Sequence, residues 1–318
     1  MPRDFMRLRS ANADAFHAWW PTKGPIIEEC RAFFMGDDAV NITGKYHYVA
    51  SASGDQIRVA PYGDLDIKPG DQLEIVTYDG RKITDVTVIA IEPAGTLTAD
   101  ERTFLANQYM RTAIKEQLSD VYVLTLDRKV PVPRGSMLQA LSQLPGDFAV
   151  INNHFGYNRS RGILIKGRSG IISGNIVEET WDYGIEIAPE YYWFEGGTSE
   201  DLRITGNTIK NARSISIVVS AFGGQSWVMA PSGLHRNITI ENNVITGGPL
   251  PGIVVTSTQD LVLSNNRIDL TQSRQVFSYV LNRFVFPGSL GPVMLVNTTG
   301  IFEQNEVAID GYPVATDY

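Results

Sequence analysis

One short pattern recurs in the second half of this chain and leaves few folds open to it. An apolar residue is followed three positions later by asparagine and five positions later by another apolar residue. Val150, Asn153 and Phe155 carry the first copy, and Ile172, Asn175 and Val177 the second. Ile204, Asn207 and Ile209 follow, then Ile240, Asn243 and Ile245. Leu263, Asn266 and Ile268 precede the last copy, Phe302, Asn305 and Val307. The asparagines are separated by 22, 32, 36, 23 and 39 residues. Steps of 22 and 23 are about one coil of a β-solenoid, whose repeats run roughly 20 to 30 residues, and the longer steps contain loops. Asparagine at a repeated bend suits a stacked ladder. Its amide bonds the next coil, and it tolerates the left-handed backbone. The asparagines are therefore expected to be structural, and His154 beside Asn153 likewise.

A second column of similar segments accompanies the first. It comprises Gly162-Ile163-Leu164-Ile165, Gly184-Ile185-Glu186-Ile187, Ser214-Ile215-Ser216-Ile217 and Gly252-Ile253-Val254-Val255. Ala39-Val40-Asn41-Ile42 and Ala15-Phe16-His17-Ala18 share its shape. Neighbouring side chains of a strand point to opposite faces. If the flanking apolar residues face a core, His17, Asn41, Leu164 and Glu186 line up outward. Asp14, Asp38, Arg161 and Tyr183 line up just before their strands. The expected fold is all-β, a right-handed parallel β-helix interrupted by a small β-rich domain.

Three units follow from this reading. Residues 1–44 form the first coils and carry Asp14, Asp37 and Asp38. Residues 45–133 form the insertion, a small barrel or sandwich. There Asp79-Gly80 reads as a two-residue hairpin. Thr98 with Glu101 reads as a capping box, opening a helix through about Gln117 with Leu105, Tyr109 and Ile114 on its apolar side. His47, Tyr46 and Tyr48 read as packing residues. Residues 134–318 complete the helix. Met1 lies 13 residues before Asp14, so either residues 1–9 cap the first coil or the chain is a fragment of a longer protein. The fragment is the favoured expectation, because a solenoid needs covered ends.

Composition bounds the rest. The apolar fraction of 43% and charged fraction of 19% describe a globular chain. A net charge of −8 argues against a nucleic-acid partner. No apolar run reaches the length of a membrane-spanning helix, and residues 1–4 lack a signal-peptide core. The single Cys30 excludes an internal disulfide and reads as a buried structural thiol.

The chemistry is expected at the aspartates. Asp14 lies 23 residues before Asp37 and 24 before Asp38, about one coil. Strands in a sheet are about 4.8 Å apart, so the three carboxylates share one patch. Such a cluster suits inverting glycoside hydrolysis. One carboxylic acid protonates the leaving oxygen while another activates water, and the two stand roughly 6.5–9.5 Å apart. Asp14 and Asp38 together would hold the water, and Asp37 would act as the acid. Clustering raises one carboxyl's pKa and keeps it protonated. Calcium is the competing reading of the same residues, since Ca²⁺ takes carboxylate oxygens. A polar turn is the bland one. His17, Asn41, Arg161, Lys166, Tyr183, Glu186 and Trp193 are the candidate substrate-binding residues. Trp193 belongs to the aromatic segment Tyr191-Tyr192-Trp193-Phe194, whose rings offer sugars apolar area with a polar edge.

At these residues the chain resembles a known family. The Asp14/Asp37/Asp38 spacing is similar to that of the polygalacturonase-like β-helix hydrolases. Asp37-Asp38-Ala39-Val40-Asn41-Ile42 followed by an inserted barrel more closely resembles glycoside hydrolase family 110. So does Asn158-Arg159-Ser160-Arg161-Gly162-Ile163-Leu164-Ile165-Lys166. The resemblance implies an inverting exo-α-1,3-galactosidase with Asp14, Asp37 and Asp38 catalytic. It implies a glycan substrate and a secreted or periplasmic location, and the reading expects no metal or organic cofactor to be required. It gives no oligomeric state. A galacturonan hydrolase and a non-catalytic carbohydrate-binding or adhesion module are the rival expectations.

Overall fold

The computed structural model describes residues 9–222, 228–271 and 291–314. Residues 1–8, most of the expected end cap, lie outside the described residues. Three parallel sheets run along a solenoid, and each coil contributes one short strand to each. The first sheet takes Phe16–Trp19, Val40–Lys45, Ile163–Lys166, Ile185–Ile187, Ile217–Val219, Ile253–Thr256 and Val293–Val296 in that order. The second begins with Ile26–Glu28 and Ala149–Ile151, the third with Arg31–Phe33 and His154–Gly156.

Register follows from the alternation of side chains. Val40 pairs with Phe16 and Ile163, Ile163 with Ile185, Ile185 with Ile217, and Ile217 with Ile253. These aliphatic residues stack inward and form one continuous core with Val150, Ile172, Ile204, Ile240 and Leu263 of the second sheet. The outward positions fall in line as expected, His17 beside Asn41, Asn41 beside Leu164, and Leu164 beside Glu186. One segment of the column is shifted. Ile217, and not Ile215, pairs with Ile185, so Ser216-Ile217-Val218-Val219 occupies the place expected for Ser214-Ile215-Ser216-Ile217. A slip of two keeps the same faces inward, so alternation alone does not detect it. Gly162 and Gly184 start their segments because the next coil approaches them closely. A Cβ on Gly162 would lie 2.5 Å from the Gly184 carbonyl oxygen, and one on Gly184 2.6 Å from that of Ser216.

All six asparagines form the ladder. Each Oδ1 from Asn175 to Asn305 accepts from the backbone and side-chain N–H groups of the asparagine one coil before it, at 2.9–3.1 Å. Each Nδ2 from Asn153 to Asn305 also donates to a carbonyl of the preceding coil, as Asn207 does to Ile172 at 2.9 Å. The top rung is Cys30, whose backbone N–H donates to Asn153 Oδ1 at 2.9 Å. Its thiol is half-buried, not fully buried, with Sγ bonded to the Glu28 carbonyl. The left-handed residue of each bend is not the ladder asparagine but the one before it, with positive φ at Glu29, Asn152, Gly174, Gly206, Asn242, Asn265 and Gln304.

The insertion is a closed six-stranded antiparallel barrel. It leaves the helix after Val40–Lys45 and opens with His47–Ser53. Its last strand, Met137–Ala140, lies past residue 133, where the sequence reading ends the insertion. That strand is one short apolar run in the barrel wall, indistinguishable by composition from a coil strand. Met35 and Asn158, bonded neighbours on adjacent coils, are therefore 123 residues apart in sequence. The capping box at Thr98 and Glu101 is present, but its helix stops early. Ala99–Ala106 is followed by a separate Thr112–Lys115, and Tyr109 faces solvent between them. Tyr46, Tyr48 and His47 are buried. Among the described residues no helix is long and apolar enough to cross a membrane.

Asn207→Ala is expected to lower stability by roughly 2–4 kcal/mol, since even one unsatisfied buried group costs about 1–3 kcal/mol. The substitution strips partners from Ile172 O, both Asn175 N–H donors and Asn243 Oδ1. Denaturant unfolding monitored by circular dichroism measures the loss, and an unchanged midpoint would contradict a structural ladder.

Candidate active site

The first sheet carries a cleft of about 610 Å³ on its outward face, over its first four strands. Asp14 and Asp38 sit at matched positions before laterally paired strands. The Ala15 N–H donates to the Asp38 carbonyl, and the Ala39 N–H to that of Arg161. Asp14 Oδ1 accepts from the Asp38 backbone N–H at 3.0 Å. One oxygen from each of Asp14, Asp37 and Asp38 lies within 4.8 Å of the others. This is closer than the 6.5–9.5 Å expected of an acid and base across a sugar, because adjacent strands set the spacing. Those oxygens are close enough to hold a metal ion, so the geometry also fits the calcium reading.

The three carboxylates have different surroundings. Asp38 is buried, and Arg161 grips it in a fork, Nε to Oδ1 and Nη2 to Oδ2, both at 2.8 Å. Asp14 Oδ2 meets His17 Nδ1 at 3.0 Å, and that contact raises the imidazole's pKa against the opposing effect of burial. Asp37 is the solvent-facing member. Desolvation in the cleft pushes its carboxyl up, and the charges of Asp38 and Asp14 push it further. Arg161 and a hydrogen bond from Ser160 oppose the rise without cancelling it.

Beneath the aspartates lies a buried ionic network. Arg161 Nη1 also donates to Glu186 at 3.1 Å and Glu190 at 2.8 Å. Lys166 is fully buried, with its ammonium 2.8 Å from Glu190, 2.5 Å from Glu195 and 3.3 Å from Asn41 Oδ1. The sequence reading places Lys166 against substrate. The structure instead puts it under the cleft floor, where burying a cation requires paired carboxylates. Burial raises the Glu186 carboxyl, and Arg161 does not fully offset it. For Glu190, Arg161 and Lys166 together outweigh burial and hold the carboxyl below its usual range. Arg161 and Lys166 are shared unequally among these carboxylates, so the Glu186 carboxyl is pushed up while that of Glu190 is held down.

His17, Asn41, Arg161, Tyr183, Glu186 and Trp193 all line the cleft. Sequence reasoning missed Trp19, Arg111, Asp182, Glu190 and Glu195. Glu190 and Glu195 flank the aromatic segment, and two carboxylates bracketing four rings were the available signal. The rings divide their work. Tyr191 and Phe194 are buried at the barrel junction, where Tyr191 stacks on Tyr46 at 5.7 Å and Phe194 meets Tyr62 at 6.1 Å. Glu195–Gly196 then pairs antiparallel with Gly44 and Lys45. That anchorage leaves Trp193 exposed at the rim. The Arg111 guanidinium lies 4.8 Å from the Trp193 ring, and its backbone N–H donates to the Tyr192 carbonyl. Arg111 comes from the barrel, about 50 residues from any other cleft residue in sequence, and no local pattern marks it.

Comparison with known proteins agrees with this architecture. The family model described as a right-handed beta helix region matches residues 87–268. Among curated proteins, the chain is 26% identical over 274 residues to Alpha-1,3-galactosidase B of Akkermansia muciniphila, covering 82% of this chain and 32% of that protein. It is 26% identical over 275 residues to Alpha-1,3-galactosidase A of Streptomyces avermitilis, covering 82% and 41%. It is 25% identical over 302 residues to Alpha-1,3-galactosidase B of Phocaeicola vulgatus, covering 87% and 48%. The chain thus spans about a third to a half of the length of these relatives. They bear out the resemblance read from the Asp37-Asp38 and Arg161 segments. With three parallel sheets, a continuous asparagine ladder and a family match over more than half its length, the chain belongs to the right-handed β-helix family.

Proposed function

We propose that this chain carries the catalytic groove of an inverting exo-α-galactosidase that removes α-1,3-linked galactose from neutral glycans. The observation that carries the reading is the aspartate cluster, in which Asp37 is the solvent-exposed member and has its pKa raised. The names of the relatives support the substrate class. Asp37 gives its proton to the glycosidic oxygen as the bond from C1 to that oxygen breaks. A water bonded to Asp14 and Asp38 attacks C1 from the opposite face and passes its proton to that pair. Two acceptors separated by no more than 4.8 Å can share one water, since each hydrogen bond spans about 2.8 Å. Arg161 orients Asp38, and His17 orients Asp14. A neutral sugar fits the lining, because seven carboxylates face the cleft against Arg111, Arg161 and His17. That balance disfavours a galacturonan, which is itself anionic.

The short spacing favours one rival within the same chemistry. Retaining enzymes hold their carboxyls about 5–5.5 Å apart, with one acting as nucleophile. Both Asp38 oxygens are bonded to Arg161 and one Asp14 oxygen to the Asp38 backbone, which restrains either from reaching C1. Proton NMR of the first-formed sugar separates the two. The β-anomer from an α-galactoside supports inversion, and the α-anomer supports retention.

Two further outcomes are expected. Asp37→Asn should reduce turnover of native glycans by about 10²–10⁴-fold, the usual contribution of a positioned acid. An aryl galactoside with an acidic phenol, which needs little protonation, should lose much less. Asp14→Asn and Asp38→Asn should impair both substrates alike. Equal losses for all three variants on both substrates would reject the assignment. The raised pKa of Asp37 sets the pH dependence. The acid works only while protonated, so kcat/KM should fall as pH rises through the folded-state pKa of Asp37. That basic limb should disappear in Asp37→Asn.

A further inference from the structure

A second pocket adjoins the cleft, and its chemistry is the reverse of the cleft's. It is lined by Arg9, Tyr157, Arg159, Glu179, Trp181 and Arg213, among others. The backbone explains why these side chains meet. The turns from the third sheet to the first stack coil on coil. The Arg159 N–H donates to the Met35 carbonyl, the Trp181 N–H to Asn158, and the Arg213 N–H to Thr180. Arg159, Trp181 and Arg213 therefore occupy equivalent places on three consecutive coils, forming an Arg-Trp-Arg column at strand spacing, about 4.8 Å per step. Arg213 lies over the Trp181 ring, 4.4 Å from its centroid. Tyr157 stacks on Phe34 at 5.1 Å. Trp181 is 45% and Tyr157 42% exposed.

This column runs beside the catalytic one. Arg161 lies two residues after Arg159, and Tyr183 two after Trp181, so at most about 7 Å of chain separates them. Ser160, Arg161, Asp182 and Tyr183 line the cleft, while Asn158, Arg159 and Trp181 line the second pocket. The same two turns thus wall both sites. Arg9, Arg159 and Arg213 form no ion pair with a described carboxylate, and the pocket's one acidic residue, Glu179, accepts a hydrogen bond from Asn211 at 2.8 Å. Three arginines gathered on a chain of net charge −8 make a local cationic patch. Guanidinium groups bind oxyanions through paired donors, and aromatic faces accept sugar rings.

We propose that this pocket binds a negatively charged sugar unit of the same glycan, one or two units beyond the galactose held in the cleft. The shared chemistry is a sugar ring bearing one oxyanion, whether a sulfate ester or a carboxylate. The cleft would take the neutral terminal galactose and the Arg-Trp-Arg column the acidic unit. The assignment of the cleft rests on the function proposed above, whereas the anion preference of the pocket does not.

Titration calorimetry on the full chain tests it, with three probes. These are a neutral α-1,3-galactosyl trisaccharide, the same trisaccharide 6-O-sulfated on an internal sugar, and its analogue carrying a uronic acid there. At low salt at least one anionic probe should bind about tenfold tighter than the neutral one, a ratio equal to about 1.4 kcal/mol of added interaction. Which probe gains identifies the anion. The preference should shrink as salt screens the charges. It should vanish in Arg159→Ala and Arg213→Ala while neutral binding and the unfolding midpoint stay unchanged. Equal affinity for all three probes, or a preference that survives both substitutions, overturns the proposal. No binding of either anion overturns it as well. Hydrolysis of the neutral probe is measured in parallel. Loss of that activity with the anion preference intact refutes the galactosidase reading alone, and the converse refutes this inference alone.

Discussion

Everything in this protein depends on coils stacking in register at strand spacing. Each coil alone is three short strands that cannot bury an apolar face, and only the neighbour above and below completes its core. The asparagine ladder makes that stacking single-valued. A side-chain amide that must donate to one coil and accept from another has one satisfactory position, and slipping by a residue would strand four buried groups. The same register that aligns Val40, Ile163 and Ile185 inward aligns His17, Asn41, Leu164 and Glu186 outward. Core and cleft are two faces of one set of backbone hydrogen bonds.

The cleft shows what such a scaffold does well and what it needs help with. Strand spacing places carboxylates close together without any dedicated loop, and their mutual charge adds to the desolvation that lifts Asp37 above its ordinary pKa. Closeness also costs stability, and the structure offsets it with Arg161 and Lys166 set beneath the surface. Those cations are themselves buried and are tolerated only because Glu186, Glu190 and Glu195 surround them. The polar floor of the site is therefore one connected network from Asp38 to Glu195, and a change at either end is felt along it.

The barrel has a positional role in this arrangement. Its junction with the helix buries Tyr46, Tyr191 and Phe194 together, which pins both ends of the segment carrying Glu190 and Trp193. A buried polar knot reinforces the junction. Glu74 of the barrel pairs with Lys82 at 3.1 Å and is hydrogen-bonded by Gln139 and by Thr198 from the helix side. Arg111 reaches the rim from the same domain. An insertion that looks separable in sequence thus supplies Arg111 to the cleft and anchors the segment that carries Glu190 and Trp193.

The repeat was legible in the sequence because its physics is local. Apolar alternation fixes which side faces the core, and asparagine recurs wherever the ladder passes, so the parallel helix, the outward column and the Asp14/Asp37/Asp38 cluster could all be read from spacing. Two limits were equally physical. Alternation has a period of two, so it could not detect that Ile217, two places later than expected, pairs with Ile185. Nor could composition tell the barrel strand Met137–Ala140 from a strand of the helix. Tertiary structure alone decided the depth of each charge. Nothing in the order of residues distinguishes Lys166, sealed beneath the floor, from Arg161, at its edge. It alone brought Arg111 to Trp193 and stacked Arg159, Trp181 and Arg213, because those meetings depend on how far the loops between coils travel before the chain returns to register.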